Sequence, residues 1–357
     1  MMIARSGIAL LAATLVLSNA AAVAEAASLT PRTVGERLSR NLLAREYMLY
    51  GDEALHYSEA AAAVGALRFS QVTGDTGLRD RLVARYEPLL DDDSGLVSRR
   101  AHVDLSVVGI VPLQIAIETN DERFLRQGLT FADRQWASPR DDGLTSESRF
   151  WIDDLYMVGM LQIEAYRATG KAVYADRAAR QLAAYLPKLQ QDNGLFYHSP
   201  DAPIFWGRGN GWVAAAMAEV LASVPADQSD RPVILASYRK MMRALLGYQN
   251  GDGLWRQVID LDSAWGESSG TAMIAYAMAV GLDRGLLPEA DFRHAVDAAW
   301  RGLTALIDED GNVGEVCIGT GKKDDLQYYL DRPRVAGDFH GQAPVLWLAT
   351  ELLHGNP

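Results

Sequence analysis

Acidic, aromatic and imidazole side chains recur together at five separated points of the sequence. They are His102 with Asp104; Trp151 with Asp153 and Asp154; His198 with Trp206, Arg208, Asn210 and Trp212; Trp265 and Glu267 with Ser268, Ser269 and Thr271; and His340. Carboxylates exchange protons, indole faces stack on sugar rings, and a guanidinium meets a carboxylate with a planar fork. Together these residue types suit a site for a carbohydrate. Each residue also has a purely structural use. Asp104, Asp154 and Glu267 could cap helices, His340 could be a buried hydrogen-bonding group, Trp212 could be core, and Gly207, Gly209 and Gly211 could serve backbone geometry alone.

What must position them is a repeat. A short turn recurs around Gly95, Gly143, Gly194 and Gly253, with a looser copy at Gly311. Asp or Asn stands within the few residues before each glycine, and Leu or Val follows within two. The copies lie roughly 50 to 60 residues apart, a spacing that signals a repeat architecture. Between them the apolar residues fall at three- and four-residue spacing in stretches rich in Ala, Leu, Met and Arg, so each interval reads as two helices. The expected pairs are 103–118 with 122–136, 150–169 with 173–189, 212–224 with 232–248, and 268–282 with 289–306. Further helices are expected over 33–48, 56–72, 78–89 and 342–353, for about twelve in all. The first helix of each pair is apolar almost all round and should be buried; the second carries Arg and Asp on one face. Inner and outer rings of six give an all-α (α/α)6 toroid. The apolar last helix favours a closed ring over an open solenoid, whose ends need polar caps. In that arrangement every inner helix starts at one mouth, and the five clusters sit there.

The bulk composition narrows the classes. The chain has 357 residues, 49% hydrophobic and 22% charged, which is ordinary for a globular protein with a large core. Its single cysteine, Cys317, excludes an internal disulfide and a cysteine-based metal site. A formal charge of -12 without a basic stripe gives no support to nucleic-acid binding. Residues 1–26 read as a secretory signal peptide: Arg5 near the start, an apolar run from Gly7 to Leu17, then small residues with cleavage expected near Ala26. Export to the periplasm or the exterior is therefore expected, with 27–357 as a single catalytic domain and no membrane span in the mature chain.

Several motifs resemble those of glycoside hydrolase family 105, a relative of family 88. They are Trp151-Ile152-Asp153-Asp154-Leu155-Tyr156-Met157; Gly194-Leu195-Phe196-Tyr197-His198 followed by Trp206-Gly207-Arg208-Gly209-Asn210-Gly211-Trp212; Glu267-Ser268-Ser269-Gly270-Thr271; and His340-Gly341. The resemblance runs from about Tyr50 to Leu353, and the string from Trp206 to Trp212 is its most specific part. It implies an (α/α)6 barrel that removes a 4,5-unsaturated uronic acid from the non-reducing end of lyase-generated oligosaccharides, with unsaturated rhamnogalacturonan disaccharide as the family default. It implies hydration of the C4=C5 double bond, with no metal or organic cofactor. By position it makes Asp153 the main acid/base, with Asp154 as the runner-up, and Asp104 the second carboxylate. Trp151, His198, Arg208, Trp212, Asp154 and His340 become substrate-binding residues, with Arg208 facing the uronate carboxylate or neighbouring oxygens. The sequence departs from the family around His56, where the expected tryptophan-rich segment is missing. Three other readings remain open. One is an inverting glycosidase using Asp104 and Asp153 on saturated sugars. Another is an isomerase or epimerase built on His198 and His340. The third is a sugar-binding toroid without catalysis.

Overall fold

A computed structural model describes residues 29–354; the expected signal peptide lies outside them. Among the described residues, twelve long helices alternate between two concentric layers. The inner layer is Tyr57–Thr73, Ile110–Thr119, Asp154–Thr169, Gly207–Ser223, Ser268–Asp283 and Phe339–His354. The outer layer is Pro31–Ala44, Thr76–Tyr86, Glu122–Arg134, Ala172–Leu189, Arg231–Leu246 and Glu289–Thr304. Each inner helix packs on the next, and the last packs on the first, so the ring is closed. This is the (α/α)6 toroid expected from the repeat. Three antiparallel pairs of two-residue strands sit at the loops: Leu49–Tyr50 with Ala54–Leu55, Trp255–Arg256 with Gly266–Glu267, and Val316–Cys317 with Arg334–Val335.

The layers differ in the way the sequence pattern anticipates. Every residue from Ser268 to Gly281 on one inner helix is buried. The outer helix Glu122–Arg134 buries only Phe124, Gly128, Phe131 and Ala132. Small residues let the inner helices approach. A Cβ on Gly270 would lie 2.7 Å from the Gly207 carbonyl carbon, and one on Gly211 would lie 2.9 Å from Met273 Cβ. These glycines therefore serve close packing, with ordinary helical backbone.

The five turn glycines have the opposite use. Gly95, Gly143, Gly194, Gly253 and Gly311 have φ of +77°, +79°, +92°, +81° and +82°, the left-handed region that L side chains avoid. Asp142 Oδ1 and Asn193 Oδ1 accept from the backbone two residues on, at 3.1 and 3.0 Å, which closes the turn. The next apolar residue (Leu96, Leu144, Leu195, Leu254 or Val313) is then buried under the loop that climbs to the mouth.

Helix boundaries differ from the expected ones for physical reasons. The stretch expected as one helix over 103–118 is split into Val103–Ser106, a 3-10 turn at Val107–Gly109, and Ile110–Thr119. Pro112 has no N–H and its ring crowds the carbonyl four residues back, so the helix tightens there. The helix expected from 150 begins at Asp154, because the preceding turn holds Phe150 at φ +57°. The helix expected from 212 begins at Gly207.

The base of the ring is closed by charge pairs. Arg68 binds Glu164 and, at 2.7 Å, Glu219; Arg167 binds Glu164 at 2.9 Å and Glu219 at 2.6 Å; Tyr276 donates to Glu219 at 2.7 Å. A cavity of about 320 Å³ opens beside them, lined partly by Trp347 and Glu351. Among the described residues no helix is long and apolar enough to cross a membrane.

Candidate active site

Carboxylates gather at the N-terminal ends of the inner helices, and hydrogen bonding sorts five of them into two kinds. Glu267 is a helix cap: its oxygens accept from the backbone of Ser269 (3.0 Å), Gly270 (2.6 Å) and Cys317 (3.1 Å). Asp338 accepts from the His340 backbone at 2.8 Å and holds its ring Nδ1 at 2.6 Å. Asp154 is fully buried and accepts from Arg149 N and Tyr185 Oη at 2.7 Å each, Trp151 N at 3.3 Å, and Arg149 Nε at 2.8 Å. Its carboxylate clamps the Arg149–Trp151 turn. It is turned away from Asp153, as the ~100° step between neighbours on a helix requires. The structure thus gives Asp154 a scaffold position, against the expectation that it binds substrate or serves as second choice for the proton donor.

Asp153 and Asp104 are the other kind. Asp153 occupies the N-cap position of Asp154–Thr169 but makes no capping hydrogen bond. Its Oδ2 is buried without a hydrogen-bond partner and faces His198 Nε2 at 3.5 Å. Asp104 lies inside the short helix capped by His102. Its Oδ2 has only long contacts, to Tyr50 Oη at 3.4 Å, His102 Nδ1 at 3.6 Å and Arg149 Nη1 at 3.7 Å. The two side chains are 13% and 14% exposed, so each keeps a narrow opening to solvent.

Their environments pull their proton affinities apart. Burial alone would raise Asp153, but the opposing influence of His198, Arg149 and Arg208 wins and holds it below the ordinary carboxylate range. Burial pushes Asp104 up to about 6; the charge of Asp153 adds to the rise and Arg149 opposes it. Below about pH 6, one carboxyl keeps its proton beside one that has lost it, the arrangement acid–base chemistry needs.

The floor is aromatic and cationic. His198, Trp206, Arg208, Trp212 and His340 are all buried. Trp206 lies between the His198 ring at 4.8 Å and the Arg208 guanidinium at 4.8 Å. The Arg208 fork is committed to backbone: Nη1 binds the Cys317 carbonyl and Nη2 the Ile318 carbonyl at 2.8 Å, leaving Nε without a partner. His340 Nε2 meets Tyr57 Oη at 2.7 Å. Trp212 packs on Tyr156 at 4.6 Å, and its indole N–H is unpartnered. Trp151 is half-buried at the rim, between Arg149 at 4.6 Å and Lys322 at 5.6 Å.

Several residues at the mouth escaped the sequence reading. Where the tryptophan-rich segment is missing, the edge is built from Tyr50, His56 and Tyr57, with His56 and Tyr57 rings 4.4 Å apart. Arg149 was adjacent to the Trp151 motif and could have been found there. Tyr329, against His198, comes from an arm with no counterpart in the repeat. Among the described residues no group of three or more His, Cys, Asp or Glu is arranged to hold a metal ion.

Comparison with known proteins agrees with this architecture. An unsaturated 3S-rhamnoglycuronyl hydrolase of Formosa agariphila is 37% identical over 204 residues, covering 52% of this chain and 54% of that protein. The unsaturated rhamnogalacturonyl hydrolase YesR of Bacillus subtilis is 28% identical over 211 residues, covering 57% of this chain and 59% of that protein. The chain spans about half the length of the curated relatives it matches. The crystal structure of a possible member of the GH105 family from Salmonella enterica has the same fold, with a TM-score of 0.81 at 19% identity over 91% of this chain and 94% of that one. The family model of Glycosyl Hydrolase Family 88 matches residues 32–355, nearly the whole ring and every cluster at its mouth, and the chain belongs to that family.

Proposed function

We propose that this protein removes a 4,5-unsaturated uronic acid from the non-reducing end of oligosaccharides by hydrating the C4=C5 double bond. The observation that carries this is the sorting of carboxylates. Asp153 Oδ2 has no hydrogen-bond partner, Asp104 Oδ2 has only contacts of 3.4 Å and longer, and the proton affinities of the two diverge. Family membership and the names of both relatives, each an unsaturated rhamno-uronyl hydrolase, support the reading.

The substrate's C4=C5 bond is an enol ether. Asp153 in its acid form gives a proton to C4, and the ring oxygen stabilises the positive charge left at C5. Water adds to C5 and returns its proton to Asp153. The C5 hydroxyl gives its proton to the ring oxygen as the ring C5–O bond breaks, leaving a ketone at C5 and a hemiacetal at C1; the C1 hydroxyl then gives its proton to the glycosidic oxygen as the C1–O bond breaks, leaving an aldehyde and releasing the remaining sugar. Before substrate binds, and below about pH 6, the proton of the pair resides on Asp104, and it passes to Asp153 when substrate arrives. A bound uronate adds negative charge and excludes water, and both changes raise Asp153 toward its acid form. The Arg208 Nε–H and the Arg149 guanidinium are the cationic donors for the uronate carboxylate. Trp151 provides the stacking face. Rhamnogalacturonan fragments are the first substrates to try, and the leader-like residues 1–26 support action outside the cytoplasm.

The test is the loss of ultraviolet absorbance from a panel of lyase-generated unsaturated disaccharides. A fall with one of them establishes the reaction and names the leaving sugar. No fall with any, together with turnover of a saturated oligosaccharide, replaces hydration by direct hydrolysis.

A further inference from the structure

A hydrogen-bonded chain stands behind Asp153, and its far member, Tyr329, lies outside the family-like motifs. Between the strands Val316–Cys317 and Arg334–Val335 the backbone leaves the ring's edge and forms the five-residue helix Leu326–Leu330. This arm delivers Tyr329 into the site, fully buried. The arm is fixed from below, because Gln257 Nε2 donates to the Tyr329 carbonyl at 3.1 Å. The Tyr329 hydroxyl accepts from the Lys323 backbone N–H at 3.2 Å and lies 2.6 Å from His198 Nδ1.

Those partners determine where the protons are. Burial keeps the phenol protonated, pushing its pKa up to about 12. The Lys323 N–H is a donor only, so the phenolic proton goes to the other partner, His198 Nδ1. An imidazole nitrogen that accepts carries no proton in the neutral ring, and the proton then resides on the other nitrogen. That nitrogen, Nε2, is the one facing Asp153 Oδ2 at 3.5 Å, and neither atom has another hydrogen-bond partner.

We propose that Tyr329 is a positioning residue that fixes His198 in its Nε2–H tautomer and so presents an N–H, in place of a lone pair, to Asp153. With the opposite tautomer the Nε2 lone pair would face the carboxylate and repel it. Asp153 would then have to hold a proton permanently or swing away. Tyr329 and His198 keep their own protons throughout and take no part in the transfer among the two carboxylates, C4 and water. The kinetic part of this inference rests on the proposed hydration, and the tautomer part does not.

The experiment is Tyr329→Phe, which removes the hydroxyl and keeps the ring. In protein labelled with 15N-histidine, with His198→Gln to assign the signals, wild type should show His198 protonated on Nε2. The variant should show a mixture or the Nδ1–H form. On an unsaturated disaccharide its kcat should fall on the order of tenfold or more, since a wrong histidine tautomer is costly to proton transfer, while KM stays within about twofold of wild type. An unchanged His198 tautomer in Tyr329→Phe overturns the proposal, and so does an Nδ1–H signal in wild type, which needs no variant to fold. A tautomer change in a protein whose wild type hydrates no unsaturated sugar upholds the role of Tyr329 and refutes the hydration reading alone.

Discussion

Replacing Asp104 by asparagine should make the protein more stable at neutral pH while impairing its chemistry. Asp104 is raised from its ordinary 3.8 to about 6, chiefly by burial. Its folded value thus exceeds its unfolded value, so the folded state holds a proton that the unfolded chain has already released. That contribution is fully present below about pH 4 and is lost as the pH rises through about 6. At about 1.4 kcal/mol per pH unit, the ionised Asp104 costs the wild-type fold about 3 kcal/mol above that range. The side chain is only 14% exposed, so solvent screening removes little of this. The amide of the variant does not titrate, and Arg149 retains Asp154 as its closer partner at 2.8 Å. Urea unfolding of wild type and Asp104→Asn should therefore give nearly equal stabilities at about pH 4. A gap of about 2–3 kcal/mol in favour of the variant should open by about pH 8. A gap that does not grow with pH, or that favours wild type at pH 8, refutes the claim that Asp104 is held in an unfavourable ionised state.

The same electrostatics predict that kcat/KM on an unsaturated disaccharide falls as the pH rises above about 6, because the free enzyme then loses the proton held on Asp104; a profile flat to pH 8 would show that this proton is not needed. Asp153→Asn should reduce turnover by at least about 10²-fold, as loss of an acid/base group does, with an unchanged circular dichroism spectrum and retained binding measured by calorimetry. Asp154→Ala should instead act on the fold: it removes the closer partner of the half-buried Arg149 and leaves only the longer contact to Asp104, and unfolding should show a loss of about 3 kcal/mol. Gly253→Ala should also destabilise, by more than about 1 kcal/mol in a thermal or urea titration, because φ is +81° and the new Cβ would collide with the Ala298 carbonyl oxygen.

The ring was legible in the sequence because its requirements are local. A turn that needs positive φ calls for glycine wherever it occurs, so Gly95, Gly143, Gly194, Gly253 and Gly311 mark the repeat without reference to tertiary contacts. The all-round apolarity of 268–282 likewise announced an inner helix. The convergence of the five clusters followed from the repeat. Which members were free did not. Glu267, Asp154 and Asp153 stand alike at helix starts, and only the three-dimensional donors around them show that the first two are committed and the third is not. The Arg208 fork looked available to a substrate because the carbonyls it binds, at Cys317 and Ile318, lie more than a hundred residues away in sequence. Tyr329 left no sequence signal for the same reason: its partner His198 is 131 residues distant.

The closure of the ring has a consequence for the order in which the protein can be assembled. Phe339–His354 packs on both Pro31–Ala44 and Tyr57–Thr73, with Gln342 donating to Asn41 of the first at 3.0 Å and Trp347 donating to the Ala61 carbonyl of the second at 2.9 Å. These contacts span 301 and 286 residues, almost the whole described chain. During synthesis the earliest hairpin therefore waits beside an open flank until the final inner helix emerges, and the face of Tyr57–Thr73 that receives Trp347 stays uncovered. Nascent chains should thus be most vulnerable to aggregation and chaperone capture just before that helix is made, and ring closure should be the slow, committing event of folding.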